Sequence, residues 1–204
     1  MAEELLPQSN IKQLFSPLSK IKEISIPYLE KRESFFYKEA KKYKGTITYI
    51  FPDTFIKTIS GSERQQFEIT GEQLIIKLNW NSETKQYQRE NQIPLNSDTK
   101  MLQFKALLSG LLSGQTEALE EYYDMKLIRL NDLQLKLLLT AKHDPFVEQI
   151  QQDKQTVEVV IKHTEQLKSN HNGKPLPHIQ TMIIQGSSME KISYTFLAPD
   201  IKVN

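Results

Sequence analysis

Four histidines, His143, His163, His171 and His178, are the side chains best suited to acid–base or metal chemistry near neutral pH. None lies three or four residues from another, the spacing that sets two ligands on one helix face. His171 and His178 flank a Pro-containing loop, and solvent-exposed loop histidines are the simpler account of both. Ser-x-x-Lys occurs at Ser9-Asn10-Ile11-Lys12 and at Ser82-Glu83-Thr84-Lys85, with no Lys-Thr-Gly or Ser-Asp-Asn companion to complete a serine acyl-enzyme site. There is no Gly-x-Ser-x-Gly, no P-loop and no Gly-x-Gly-x-x-Gly. The chain has no cysteine, which removes thiol catalysis, disulfides, iron–sulfur clusters and thiolate zinc sites together. A lipid hydrolase would need a serine converging with one of the histidines, and no spacing here provides it. The residues nominate no catalytic centre, no metal site and no cofactor, so the expectation is a protein without chemistry of its own.

Composition narrows the partners. Among 204 residues, 26 Lys and Arg face 25 Asp and Glu, for a formal net charge of +1. Phosphate-backbone binding needs clustered excess cations, so no nucleic acid is expected as a partner. One basic run, Lys38, Lys41, Lys42 and Lys44 interleaved with Tyr37 and Tyr43, has two readings. It could touch lipid phosphate or an acidic partner, or it could be a solvated strand edge where lysines block edge-to-edge pairing. The length suits one domain spanning 1–204, with 143–178 as a possible insertion. No run reaches 18 apolar residues, and the Met1-Ala2-Glu3-Glu4-Leu5-Leu6 start lacks the basic and apolar regions of a signal peptide. It could be the start of a mature exported chain behind an added Met, or simply a cytosolic start.

The elements follow from periodicity. Ile11, Leu14, Phe15, Leu18 and Ile21 have helical spacing, with Ser9 as a candidate N-cap and a kink expected at Pro17. An extended stretch follows from Ile24. Residues 44–59 are rich in β-branched and aromatic types and read as two strand halves bent at Pro52-Asp53. Strands are expected over 65–70 and 73–80 around a Gly71 turn, and over 86–95. Met101, Leu102, Phe104, Leu107, Leu108, Leu111 and Leu112 predict an amphipathic helix that Gly114 stops. A short helix over 117–123, a hairpin over 125–140 and a last hairpin over 179–197 complete the pattern. Val157, Val159 and Ile161 alternate, but a helix stays open there. Segregated helices and antiparallel strands give an α+β fold, with helices covering one face of the sheet.

Strand faces bearing Ile47, Tyr49, Phe51, Phe67, Leu74 and Ile76 are strongly apolar. They fit an ordinary filled core. They fit equally a half-closed sheet whose concave face holds a greasy ligand under a helical lid, because both are lined by the same residue types.

Several segments, taken in order, carry a resemblance. They are Phe35-Phe36-Tyr37, then Tyr43-Lys44-Gly45-Thr46-Ile47-Thr48-Tyr49, Phe51-Pro52-Asp53-Thr54-Phe55, and Phe67 to Leu74 around Gly71. Leu107-Leu108-Ser109-Gly110 with Leu119 and Tyr122-Tyr123, the pair over 127–139 and the tail Tyr194 to Ile201 follow. The set resembles the LolA-like outer-membrane lipoprotein carriers, as a divergent branch. That resemblance implies a strongly curved antiparallel sheet, an incomplete β-barrel, with helices covering its concave face. It implies a periplasmic carrier that binds lipid or acylated, lipoprotein-like cargo in a hydrophobic cavity and moves it toward the outer membrane. Partners would be that cargo, an inner-membrane donor, an outer-membrane acceptor and, transiently, a membrane. The residues expected to line the cavity are Tyr49, Phe51, Phe55, Leu74 and Ile76 from strands, with Phe104, Leu108 and Leu111 from the lid. The family's arginine after Pro-x-x-Phe is Ile56 here, and Lys57, next to it, is the candidate polar gate. The competing expectation is a non-catalytic interaction module of an envelope assembly with a filled core.

Overall fold

A computed structural model describes residues 4–34, 36, 38–61, 64–81, 84, 86–95, 99–142, 155–163, 176–186 and 190–203. The chain opens with a three-residue strand, β1 (Glu4–Leu6), and a helix, α1 (Ser9–Phe15). Gln8, not Ser9, occupies the N-cap, and no side chain caps the helix. At Ser16 the helix tightens into a 3-10 turn through Lys20, with Pro17 in its first positions. Proline is tolerated there because the first turn leaves its missing N–H without consequence.

Six strands follow in meander: β2 (Ile21–Glu33), β3 (Lys41–Ile50), β4 (Thr54–Ser60), β5 (Gln65–Thr70), β6 (Gln73–Asn81) and β7 (Gln86–Pro94). The chain between β3 and β4 reverses fully at Phe51-Pro52-Asp53, so the two halves pair with each other, Tyr49 opposite Phe55. Helix α2 (Thr99–Leu108) runs into a π-helical turn over Ser109–Ser113 that ends at Gly114, whose φ is 75°. Gly110 sits in that turn where a Cβ would lie 2.2 Å from the Leu119 side chain, so α3 (Thr116–Tyr122) packs against bare backbone.

The second half of the sheet is β8 (Tyr123–Asn131), β9 (Gln134–Ala141), β10 (Thr156–His163), β11 (Pro177–Gln185), β12 (Lys191–Phe196) and β13 (Asp200–Val203). The Val157-Val159-Ile161 alternation is a strand, buried on one face between β9 and β11. It lies inside the 143–178 stretch. The loop around Asn170, with His143 and His171, lies outside the described residues.

All pairings are antiparallel, in the order β1-β8-β9-β10-β11-β12-β2-β3-β4-β5-β6-β7, with β13 alongside the start of β2. Among the described residues the terminal strands β1 and β7 do not pair, so the barrel is incomplete. This is the expected α+β fold. Strand β3, with its lysines, lies between β2 and β4. The β3–β4 ladder reaches only to Lys44 opposite Ser60, so Lys41 and Lys42 lie on a stretch of β3 laddered to β2 alone, a local edge, while Lys44 lies within the sheet. These side chains are exposed on an interior strand because they extend past the end of the packed core.

Alternation sorts the two faces. On β2, Ile24, Ile26, Tyr28 and Glu30 are buried while Lys22, Leu29 and Lys31 are exposed. The inner face is covered unevenly. Over β8–β11, Leu137, Val159, Ile161 and Leu127 are fully packed with Leu119, Phe15 and Ile11 from the helices. Over β4–β6 the inner face looks onto Met101, Phe104 and Leu108 of α2 across a gap.

Two outcomes test this architecture. At Gly45 a Cβ would lie 1.8 Å from the Thr58 carbonyl oxygen and 2.9 Å from the Tyr28 hydroxyl. Gly45→Ala should lose the Tyr28 Oη–Thr58 hydrogen bond of 3.2 Å and cost about 1–3 kcal/mol in denaturant unfolding. An unchanged midpoint would contradict that close approach. His178 faces Lys162 across β10–β11. Burial, and then the nearby ammonium, hold its imidazole below the ordinary value of 6.5. Just below 6.5 the unfolded chain binds more protons than the folded one, so stability falls as pH drops through that window. The melting temperature should fall less from pH 7.5 to 5.5 in His178→Gln than in the unsubstituted protein.

Candidate functional site

Between α2 and the inner face of β4–β6 is a cavity of about 300 Å³, open to solvent. Strands β4, β5 and β6 contribute Phe55, Phe67, Ile69, Leu74 and Ile76, each at an inward position of its alternation. Helix α2 contributes Met101, Phe104 and Leu108 at i, i+3 and i+7, the spacing that gives a helix one continuous stripe. The remaining wall is Ile192 and Tyr194 from β12, with Arg32 and Lys57.

Of the nine residues expected at the site, the structure brings six together around this cavity: Phe55, Lys57, Leu74, Ile76, Phe104 and Leu108. Three lie elsewhere. Tyr49 points to the same inner face but is sealed beneath Phe55, with ring centroids 5.2 Å apart, and its Oη donates to the Pro52 carbonyl at 3.0 Å. Phe51 is 61% exposed, because the strand ends at Ile50 and the chain reverses there, which breaks the alternation that would have turned it inward. Leu111 sits in the π-helical turn, where the added residue per turn rotates it away from the α2 stripe into the core.

The charged wall was only half legible. Lys57 is an inward residue of β4, its side chain 11% exposed, and Ile56 takes the opposite orientation in the strand. Its ammonium donates to Glu30 Oε2 at 2.7 Å and to Tyr194 Oη at 2.9 Å. The Tyr194 ring lies 4.8 Å away and the Tyr28 ring 5.3 Å away, both within cation–π range. Glu30 is wholly buried and takes a second, very short bond from Arg32 Nε. Burial holds the Lys57 ammonium below the usual lysine range, with the Glu30 charge opposing it. Burial, and then the Glu30 charge, push the Tyr194 phenol upward, so it stays neutral.

Glu30, Arg32 and Tyr194 were missed from sequence. A signal for the first two exists: the inward alternation Ile24-Ile26-Tyr28 continues through Glu30 and Arg32 without a break. Tyr194 has none, because its contact with Lys57 spans 137 residues.

Helix α2 is held down at its flank. Lys105 Nζ donates to the Gly71 carbonyl in the β5–β6 turn at 2.6 Å and lies 3.9 Å from Asp53 in the β3–β4 turn. A second hollow, about 480 Å³, lies between α1 and β8–β9, but Asn10, Gln13, Arg129, Asn131 and Asp132 make its lining largely polar. Among the described residues, no group of three His, Asp or Glu side chains is placed to hold a metal ion, and no helix is long and apolar enough to cross a membrane.

Several solved structures are similar to this chain at low identity. A LolA superfamily protein from Nitrosomonas europaea is 12% identical, covering 95% of this chain and 94% of that one, with a TM-score of 0.43. A DUF1329 family protein from Desulfovibrio piger is 9% identical over 96% and 92%, with a TM-score of 0.44. LprF from Mycobacterium bovis is 11% identical over 97% and 96%, with a TM-score of 0.41. No family model and no curated protein matches the sequence.

The ion pair can be tested directly. Removing one partner of a buried pair strands the other's charge and costs about 3–5 kcal/mol. Lys57→Met should approach the lower end of that range, since Arg32 still faces Glu30. Adding Glu30→Gln should recover part of the loss. Additive effects in a double-mutant cycle by denaturant unfolding would show that the two side chains do not interact.

Proposed function

We propose that this protein is a periplasmic carrier without catalytic chemistry. It shelters the acyl chain of a lipid or acylated protein in the cavity between α2 and β4–β6, and passes it from an inner-membrane donor toward an outer-membrane acceptor. The observation that carries this reading is the cavity: about 300 Å³, walled mainly by aliphatic and aromatic side chains, whereas the hollow against β8–β9 is largely polar. Each methylene buried from water gains about 0.8 kcal/mol, so a chain enters such a space at the expense of bulk water and crosses an aqueous compartment only while sheltered. The filled-core alternative accounts for β8–β11 and leaves the space under α2 unexplained.

Loading requires α2 to shift. Its other face is packed, with Ala106 and Leu107 buried and the Tyr123 hydroxyl donating to the Gln103 carbonyl at 3.2 Å, while Lys105 ties its flank to the β3–β4 and β5–β6 turns. A lid that stays packed on that face and gives up the Lys105 contacts can open without unfolding the sheet.

A fluorescent fatty-acyl probe should bind saturably with one site per chain. Ile76→Trp fills the cavity from its floor and should weaken the probe at least about tenfold, with the melting temperature nearly unchanged because Ile76 is only partly buried. Absence of saturable binding, or full binding by Ile76→Trp, would overturn the carrier reading.

A further inference from the structure

The charges on the cavity wall do not cancel. Glu30 brings one negative charge, and Lys57 and Arg32 bring two positive ones, leaving a surplus of one cation against an apolar space. Glu30 is already committed to both. Lys57 is turned inward, its ammonium spent on Glu30 and Tyr194. Arg32 is different. Its side chain is 37% exposed, it borders the cavity, and only its Nε is engaged with Glu30. Its terminal nitrogens make no hydrogen bond to the described residues, and the guanidinium carbon stands 4.9 Å from the Tyr43 ring centroid, a contact that orients the plane without using its donors.

We infer that Arg32 is the headgroup anchor of this cavity, and that the ligand is an amphiphile with a single alkyl chain ending in an anion, a carboxylate or a phosphate. This rests on the carrier reading and specifies its cargo. The chain occupies the space under α2 while the anion lies at the opening against the outer fork of Arg32. A planar guanidinium offers two parallel N–H groups to such an oxyanion, a geometry an ammonium lacks. The Glu30 carboxylate behind Nε fixes the fork in place, so little side-chain freedom is lost on binding. Volume sets the chain number. A group the size of a water molecule takes roughly 30 Å³, so about 300 Å³ accommodates about ten such groups, one medium alkyl chain rather than two or three.

The test is displacement of a neutral fluorescent acyl probe by dodecanoate, dodecyl phosphate, dodecanol and dodecyltrimethylammonium. The unsubstituted protein should prefer both anions over dodecanol by about tenfold or more, and the cation should bind weakest. Inorganic phosphate and acetate alone should not displace the probe, which separates an anchored amphiphile from a free-anion site. In Arg32→Gln the anions should fall to the level of dodecanol while dodecanol itself is unchanged. Arg32→Lys should restore part of the preference for dodecyl phosphate and less of that for dodecanoate. If dodecanol and dodecanoate bind the unsubstituted protein equally, the anchor is wrong and the carrier reading stands; that comparison needs no variant to fold. If none of the four displaces the probe, or the probe does not bind, both fail. Equal loss of all ligands in Arg32→Gln would show Arg32 to be structural.

Discussion

A carboxylate with no solvent exposure, on the inner face of a sheet, must be answered by cations within reach. Glu30 is such a carboxylate, and its answer fixes much of this end of the molecule. Lys57 comes from β4 and Arg32 from β2, while Tyr194 of β12 takes the third position around the Lys57 ammonium. The three strands are held in register by side chains as well as by backbone. Water can be replaced around Glu30 only because both oxygens are engaged, and any further apolar packing against Lys57 or Arg32 would desolvate cations without offering them partners. The helix that covers this end therefore has reason not to settle fully onto the sheet. Its stripe of Met101, Phe104 and Leu108 meets Phe67, Leu74 and Ile76 across a gap instead.

The other half of the same sheet shows what happens without such a cluster. Inward positions of β9 and β10 are Leu135, Leu137, Leu139, Val157, Val159 and Ile161, with no charge among them, and α1, α3 and the π-helical turn bury them, leaving only the polar-lined hollow beside Leu135. One continuous sheet thus carries a solid core and a hollow side by side. The solid half supplies the free energy that keeps the hollow half folded, since an empty apolar space forfeits the dispersion contacts its walls would otherwise make.

How much of this could be read from the chain depends on the range of the interaction concerned. Alternation and helical spacing are local, and they placed β3 to β9 and α2, with Leu74, Ile76, Phe104 and Leu108 on the apolar faces; Lys57 came from the resemblance alone. They failed where a local break intervened. Phe51 follows Ile47 and Tyr49 in perfect alternation, yet the chain reverses before it; Leu111 continues the α2 stripe, yet one π-helical turn rotates it out. Lysines at 41, 42 and 44 suggested an edge, and the signal holds only in part: Lys41 and Lys42 overhang the end of β4, while Lys44 is laddered on both sides. Pairings such as Lys57 with Tyr194 carry no local trace, since they are created only when β12 returns to lie beside β2.

The position of the charge relative to the hollow also bears on how a carrier could let go. A chain held by burial alone is bound more tightly with every methylene, and a long one would never leave on a useful timescale. A ligand whose headgroup lies at the opening, against a half-exposed arginine, is exposed to competition there: another cation, an anionic surface or added salt can weaken the headgroup contact first. Once it is lost, the cavity side of α2 is kept closed by its stripe and the Lys105 contacts, while its other face stays packed through Leu107 and the Tyr123–Gln103 bond. Release can then proceed in steps, headgroup before chain, each smaller than the whole. A cavity sealed on all sides would offer no such sequence, and a cavity without the Glu30 cluster behind it would have no fixed point from which to begin.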